Sequence, residues 1–199
     1  MRRTLPLLAA LLAVPAFAQT ASPAAAPAAA AAPARPAQPA AFDVPPAAEA
    51  DVASIDGIIA ALYDVISGPA GQPRDWNRAR SLFVPTARLM PVGVRADGSA
   101  GIRMGGVSDY IATTGPLLLE KGFHEREIAR RTERFGHIAH VFSTYEATIG
   151  GQAEPLRGIN SIQLMHDGQR WWVVSVMWEA ERPGLSLPAE YLPATDGNR

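Results

Sequence analysis

The sequence predicts an α+β domain in which helices pack on one face of a curved antiparallel sheet. Three observations carry this. Between Asp51 and Ser67 apolar side chains recur at three- and four-residue steps, the signature of a helix with one buried stripe. From Phe123 onward the period changes to two over four long segments. No strand–helix–strand alternation occurs, so helices come first and strands follow, which is the α+β order and not that of a doubly wound parallel sheet.

Each element follows from local chemistry. Val52, Ile55, Ile58, Ile59, Leu62, Val65 and Ile66 form the helical stripe, and Gly68-Pro69 stops it. Asp75 is placed to cap a short helix, Trp76–Phe83, that ends before Pro85. Ala87–Val94 reads as a strand, Ala96-Asp97-Gly98 as a tight turn, and Gly101–Met104 as a segment pairing back. Ser108 is placed to cap a third helix, Asp109–Lys121, which Pro116 is expected to break or kink because proline lacks a donor and crowds the preceding turn. Phe123–Arg134, His137–Thr148, Arg157–His166 and Arg170–Glu181 are the four long strands. Joints at Phe135-Gly136, Gly150-Gly151 and Asp167-Gly168 predict an antiparallel meander.

The flanks have a different composition. Arg2 and Arg3, the apolar run Leu5 to Val14 and the small residues of Ala16-Phe17-Ala18 form a secretory signal over residues 1–18, too short for a membrane span. Cleavage near Ala18 implies an exported, periplasmic or secreted bacterial protein. In residues 19–50, 23 of 32 are Ala or Pro, a composition that buries too little surface to order itself and reads as a semi-extended linker. The domain is expected over 51–182 and a peripheral tail over 183–199.

Bulk chemistry excludes several function classes. With no cysteine there is no disulfide, thiolate metal site or cysteine nucleophile. The formal charge of −1 becomes −3 once Arg2 and Arg3 are removed, which gives no basic surface for nucleic acid. His137 and His140, three apart on a strand, face opposite ways, and no metal-ligand spacing occurs. No cofactor-binding motif is present either: Gly105-Gly106 is a lone glycine pair.

The segments IDGIIAALYDVI, DWNRARSLFVPTARLMPVG, GHIAHVFSTYEATI and RGINSIQLMHDGQRWWVVSVMWE together resemble a nuclear transport factor 2-like (SnoaL-like) domain. The resemblance covers roughly residues 51–182 and is one of pattern. It implies a cystatin-like roll: a cone-shaped, strongly bent antiparallel sheet packed around the N-terminal helices, with a pocket at the open end. It also implies a homodimer through the outer sheet face. Members include isomerases, cyclases, dehydratases and non-catalytic binding domains, so the fold by itself does not select an activity.

The same resemblance turns Ala139, Val141, Ser143 and Tyr145 of the second long strand inward. Strand alternation then assigns Arg157, Ile159, Ser161, Gln163 and Met165 inward on the third, and Trp171, Val173, Ser175, Met177 and Glu179 on the fourth. A one-residue slip reverses such an assignment. On it, Tyr63, Tyr145, Arg157, Ser161, Gln163, Ser175, Met177 and Glu179 line a ligand pocket for a small hydrophobic or anionic molecule, with Arg157 as the anion partner. Trp178 falls on the opposite face, where a dimer contact suits it.

For catalysis the candidates are Glu179 or His124 as base and Tyr63 or Tyr145 as electrophilic partner. A structural Arg157–Glu179 pair is the competing reading. The run His124-Glu125-Arg126-Glu127 reads as an exposed, charge-alternating strand start, and Asp56 and Asp64 as a solvated helix face. Three functions stay open on the residues: a binding or accessory domain, a cofactor-independent isomerase-, cyclase- or dehydratase-like enzyme, and a structural interaction module.

Overall fold

The computed structural model describes residues 42–193. The signal peptide expected at 1–18, most of the linker expected at 19–50, and residues 194–199 lie outside them.

The predicted first helix is two. α1 (Glu49–Val52) and α2 (Ile55–Asp64) are separated at Ser54, whose hydroxyl accepts the Gly57 amide at 2.9 Å and caps α2. Gly57 lets α1 approach, since a Cβ there would lie 2.4 Å from the Ala50 carbonyl oxygen. α2 buries Ile58, Ile59, Ala61 and Tyr63. Asp75 caps α3 (Trp76–Ser81) through the Asn77 and Arg78 amides, as its position predicts.

β1 (Phe83–Val94) and β2 (Ala100–Ile102) form a hairpin, and α4 (Val107–Lys121) crosses back. The N-cap of α4 is Gly106, not Ser108, and its amide donates to the Asp109 carboxylate at 2.8 Å. Pro116 does not end this helix, which continues to Lys121. Gly115 beside it is buried against Trp76, where an added Cβ would lie 3.1 Å from the indole ring.

β3 (Phe123–Phe135), β4 (Ile138–Ile149), β5 (Leu156–His166) and β6 (Trp171–Ala180) are the expected meander. The six-stranded sheet has the order β2-β1-β6-β5-β4-β3. One pair departs from the antiparallel expectation: β1 runs parallel to β6, with Met90 opposite Met177. α4 carries the chain to the far edge, and three reversals then return it alongside β1.

The core joins α2 to the concave sheet face through Ile58, Ile59, Val141, Ile162, Leu164 and Val173. It recruits residues from before the expected domain start, Phe42, Val44 and Ala47, with Phe42 edge-on to Trp172 at 4.9 Å. Among the described residues, packing onto the core therefore extends upstream of Asp51 to Phe42. At the other end the segment after β6 crosses the convex face. Tyr191 meets Phe142 edge-on at 5.0 Å, its carbonyl accepts the fully buried Thr144 hydroxyl at 2.6 Å, and the Arg131 guanidinium lies 5.2 Å from its ring.

Candidate functional site

Between α2, α4 and the concave face lies a cavity of about 350 Å³ with predominantly apolar walls. α4 contributes Tyr110 and Leu118, α2 contributes Leu62 and Tyr63, and the strands contribute Phe123, Glu125, Tyr145, Ala147, Asn160, Val176 and Trp178. Tyr110 meets Trp178 edge-on at 6.4 Å. Tyr145 has room for its ring because Gly158 is its cross-strand partner: a Cβ at Gly158 would lie 2.5 Å from the Tyr145 hydroxyl oxygen.

The polar groups in this wall are connected. Asn160 Nδ2 donates to Glu125 Oε1 at 3.1 Å and to the Tyr63 hydroxyl at 3.1 Å. Tyr63 Oη and Ser143 Oγ are 2.7 Å apart, and Ser143 Oγ donates to Glu127 Oε1 at 2.5 Å. The Ser143 proton is thus committed to Glu127, so Tyr63 must be the donor to Ser143. Among the described residues the hydroxyls of Tyr110 and Tyr145 have no hydrogen-bond partner, which leaves both free to meet a ligand.

Glu125 is the chemical centre of the cavity. Burial pushes its carboxyl up to about 7, with the Asn160 amide pulling the other way. Burial also raises the Tyr63, Tyr110 and Tyr145 phenols above their ordinary value, and the nearby Glu125 charge adds to this, so all three are neutral donors near pH 7. On its other side Glu125, together with Tyr63, borders a polar cleft of about 690 Å³ lined by Asp56, His124, Arg126, Glu127 and Arg130.

The expected site residues divide between the two faces of the sheet. Tyr63 and Tyr145 lie on the cavity side, with Ser143. Arg157, Ser161, Gln163, Ser175, Met177 and Glu179 do not. Pairings of Ser143 with Asn160 and Tyr145 with Gly158 turn the even-numbered residues of β5 inward. In β6 the register shifts at Val174, so Val173 and Val176 are both inward, whereas Ser175, Met177 and Glu179 are turned to the convex face. Trp178, expected on the outside, is for the same reason a cavity wall.

Ser161, Met177 and Glu179 line a separate groove of about 230 Å³ under the C-terminal segment. Arg157 pairs with Glu181 at 2.8 Å and Glu179 with Arg182 at 2.5 Å, so neither the expected anion partner nor an Arg157–Glu179 bridge is present. His124 is exposed on the polar cleft, and His140 shares a 3.0 Å hydrogen bond with Ser161 on the convex face. Asp56 and Asp64 are exposed but paired, with Arg130 and Arg78 respectively, each at 2.5 Å.

Glu125 was hidden by its neighbours. In His124-Glu125-Arg126-Glu127 the charges mask the alternation, yet the half-buried Phe123 two residues earlier places Glu125 on its own, inner face. Tyr110 and Asn160 were likewise missed, Tyr110 because α4 has a diffuse apolar face and Asn160 because the two faces of β5 are equally mixed in polarity.

No family model matches the chain, and no curated protein matches it. Solved structures do. An NTF2-like protein of unknown function from Pseudomonas putida superposes with a TM-score of 0.50 at 12% identity, over 76% of this chain and 99% of that one. LinA superposes with a TM-score of 0.50 at 13% identity, over 65% of this chain and 85% of its own. The fold is nuclear transport factor 2-like. A protein of unknown function from Mycobacterium tuberculosis matches equally, at a TM-score of 0.50 and 13% identity, over 67% and 75% of the two chains. At such identities the likeness is one of architecture. Within this fold the cavity between the sheet and the helices is lined by this chain's own residues.

Proposed function

We propose that the cone binds a neutral, mainly apolar small molecule and that Glu125 accepts a proton from it, without a cofactor. The observation that carries this is a single carboxyl, raised toward neutrality by burial, in the wall of a mainly apolar cavity. Oε1 of Glu125 is held by Asn160, which leaves Oε2 to take the proton. The free hydroxyls of Tyr145 and Tyr110 supply hydrogen bonds to a carbonyl or similar oxygen on which charge develops. Such a site suits proton abstraction beside a carbonyl, as in isomerisation or elimination. With no cationic side chain among the cavity residues, the reading favours an uncharged ligand over an anion.

The test is to identify small molecules that co-purify with the protein by native mass spectrometry, then to follow their turnover. Activity is expected to rise with pH to a plateau above about 7, and Glu125→Gln to lower it by about 10²-fold or more. Unaltered turnover of every such compound in Glu125→Gln contradicts the reading. The proposal includes export, carried by the signal features of residues 1–18; a mature protein beginning at Gln19 is the expected product.

A further inference from the structure

We propose that Glu127, on the polar-cleft side, is a positioning residue for the cavity acid: through Ser143 and Tyr63 it fixes the orientation in which the Asn160 amide donates to Glu125. This builds on the reading of Glu125 as the cavity's proton acceptor, but it concerns the direction of hydrogen bonds and is tested without turnover.

The argument is a proton count. A carboxylate accepts only, so Glu127 takes the Ser143 hydroxyl proton. Ser143, fully buried, has no second proton and must accept from Tyr63. The Tyr63 oxygen then presents lone pairs to Asn160, which can meet them only with its NH₂ group. That same NH₂ group points its other proton at Glu125. Reversing any link flips the amide, and its carbonyl oxygen would then face the Glu125 carboxylate. Glu127 and Glu125, on one strand, are thereby coupled through four hydrogen bonds, in the sense that favours the ionised form of Glu125.

This sense is opposite to direct repulsion, and that makes it testable. Around Glu125 stand Tyr63 from α2, Tyr110 from α4, Tyr145 from β4 and Asn160 from β5. Around Glu127 stand Arg130 at 3.4 Å on the same strand, Asp56 and Asp64 from α2, and His124, Arg126 and Glu146 along the cleft. Through-space electrostatics predicts that removing the Glu127 charge lowers the Glu125 titration midpoint, because a like charge has gone. The hydrogen-bond chain predicts that the midpoint rises, by about half a unit or more if one donor to the carboxylate is lost.

The experiment is carbon-detected NMR titration of the Glu125 carboxyl in the full chain, comparing the unaltered protein with Glu127→Ala, Ser143→Ala and Ser143→Thr. A rise in both alanine variants, with Ser143→Thr returning to the unaltered midpoint, is the expected result. Ser143→Ala keeps the Glu127 charge, so it isolates the chain from electrostatics. A fall in Glu127→Ala, or no change in Ser143→Ala, overturns the proposal. Either result leaves the role of Glu125 itself to the turnover experiment.

Discussion

Asn160 on β5 reaches across β4 to donate to Glu125 on β3 at 3.1 Å. Neither residue meets the other through strand pairing. The concave curvature of the sheet brings them together, and the cavity chemistry follows from that juxtaposition.

Because burial raises the Glu125 carboxyl from an ordinary value of 4.5 to about 7, stability depends on pH in a definite direction. The folded state holds this proton more tightly than the unfolded chain, so the contribution favours folding at low pH. It declines as pH rises from the ordinary value through about 7, and is flat above. The loss is on the order of 3 kcal/mol. Urea denaturation at several pH values is expected to show it, and Glu125→Gln is expected to remove most of it.

Gly158→Ala is expected to destabilise the domain by about 2 kcal/mol or more, because its Cβ has no room. That atom would lie 2.4 Å from the Glu179 carbonyl oxygen and 2.5 Å from the Tyr145 hydroxyl. Chemical denaturation measures the cost. A crystal structure of the variant is expected to have the Tyr145 ring displaced.

Arg74 is a structural clamp that no sequence pattern singles out. Its buried guanidinium donates to the carbonyls of Ile66, Pro69, Gln72, Gly68 and Leu118, tying the α2–α3 loop to α4 at the cavity wall. Arg74→Ala leaves buried carbonyls unpaired and is expected to cost about 3 kcal/mol. Arg74→Lys recovers only part, since an ammonium lacks the planar fork. Thermal unfolding of the two variants gives the order.

Trp76 and Trp178 both line the cavity, so occupancy is expected to change tryptophan emission. Titration with an apolar probe is expected to give a saturable fluorescence change. Trp178→Phe is expected to reduce its amplitude.

The convex face depends on the chain's own C-terminal segment. Tyr191→Ala removes the ring contacts with Phe142 and Arg131 and is expected to cost about 1–2 kcal/mol. Unfolding by guanidinium chloride measures it.

Much of the fold was legible. The four long strands fall within a few residues of the predicted segments because their joints carry turn residues and their alternation is long. On β4 the facing came from the family resemblance, which turned Ala139, Val141, Ser143 and Tyr145 inward, and all four are buried. On β5, Asn160 and Ser161 offer no contrast in polarity. On β6 the register shift at Val174 reverses parity midway, so Val173 was placed inward and Glu179 with it. Glu125 was obscured for a different reason: a half-buried acid among other charged residues looks, residue by residue, like one of them. What distinguishes it is three-dimensional, an apolar enclosure assembled from α2, α4 and strands distant in sequence.

The ionisation of Glu125 in the unaltered protein tests the account most directly. Its carboxyl carbon shift, followed by NMR from pH 4 to pH 9, is expected to turn at about 7. A midpoint at the ordinary value near 4.5 would mean that water reaches the carboxylate freely, and the cavity would then have no poised proton acceptor.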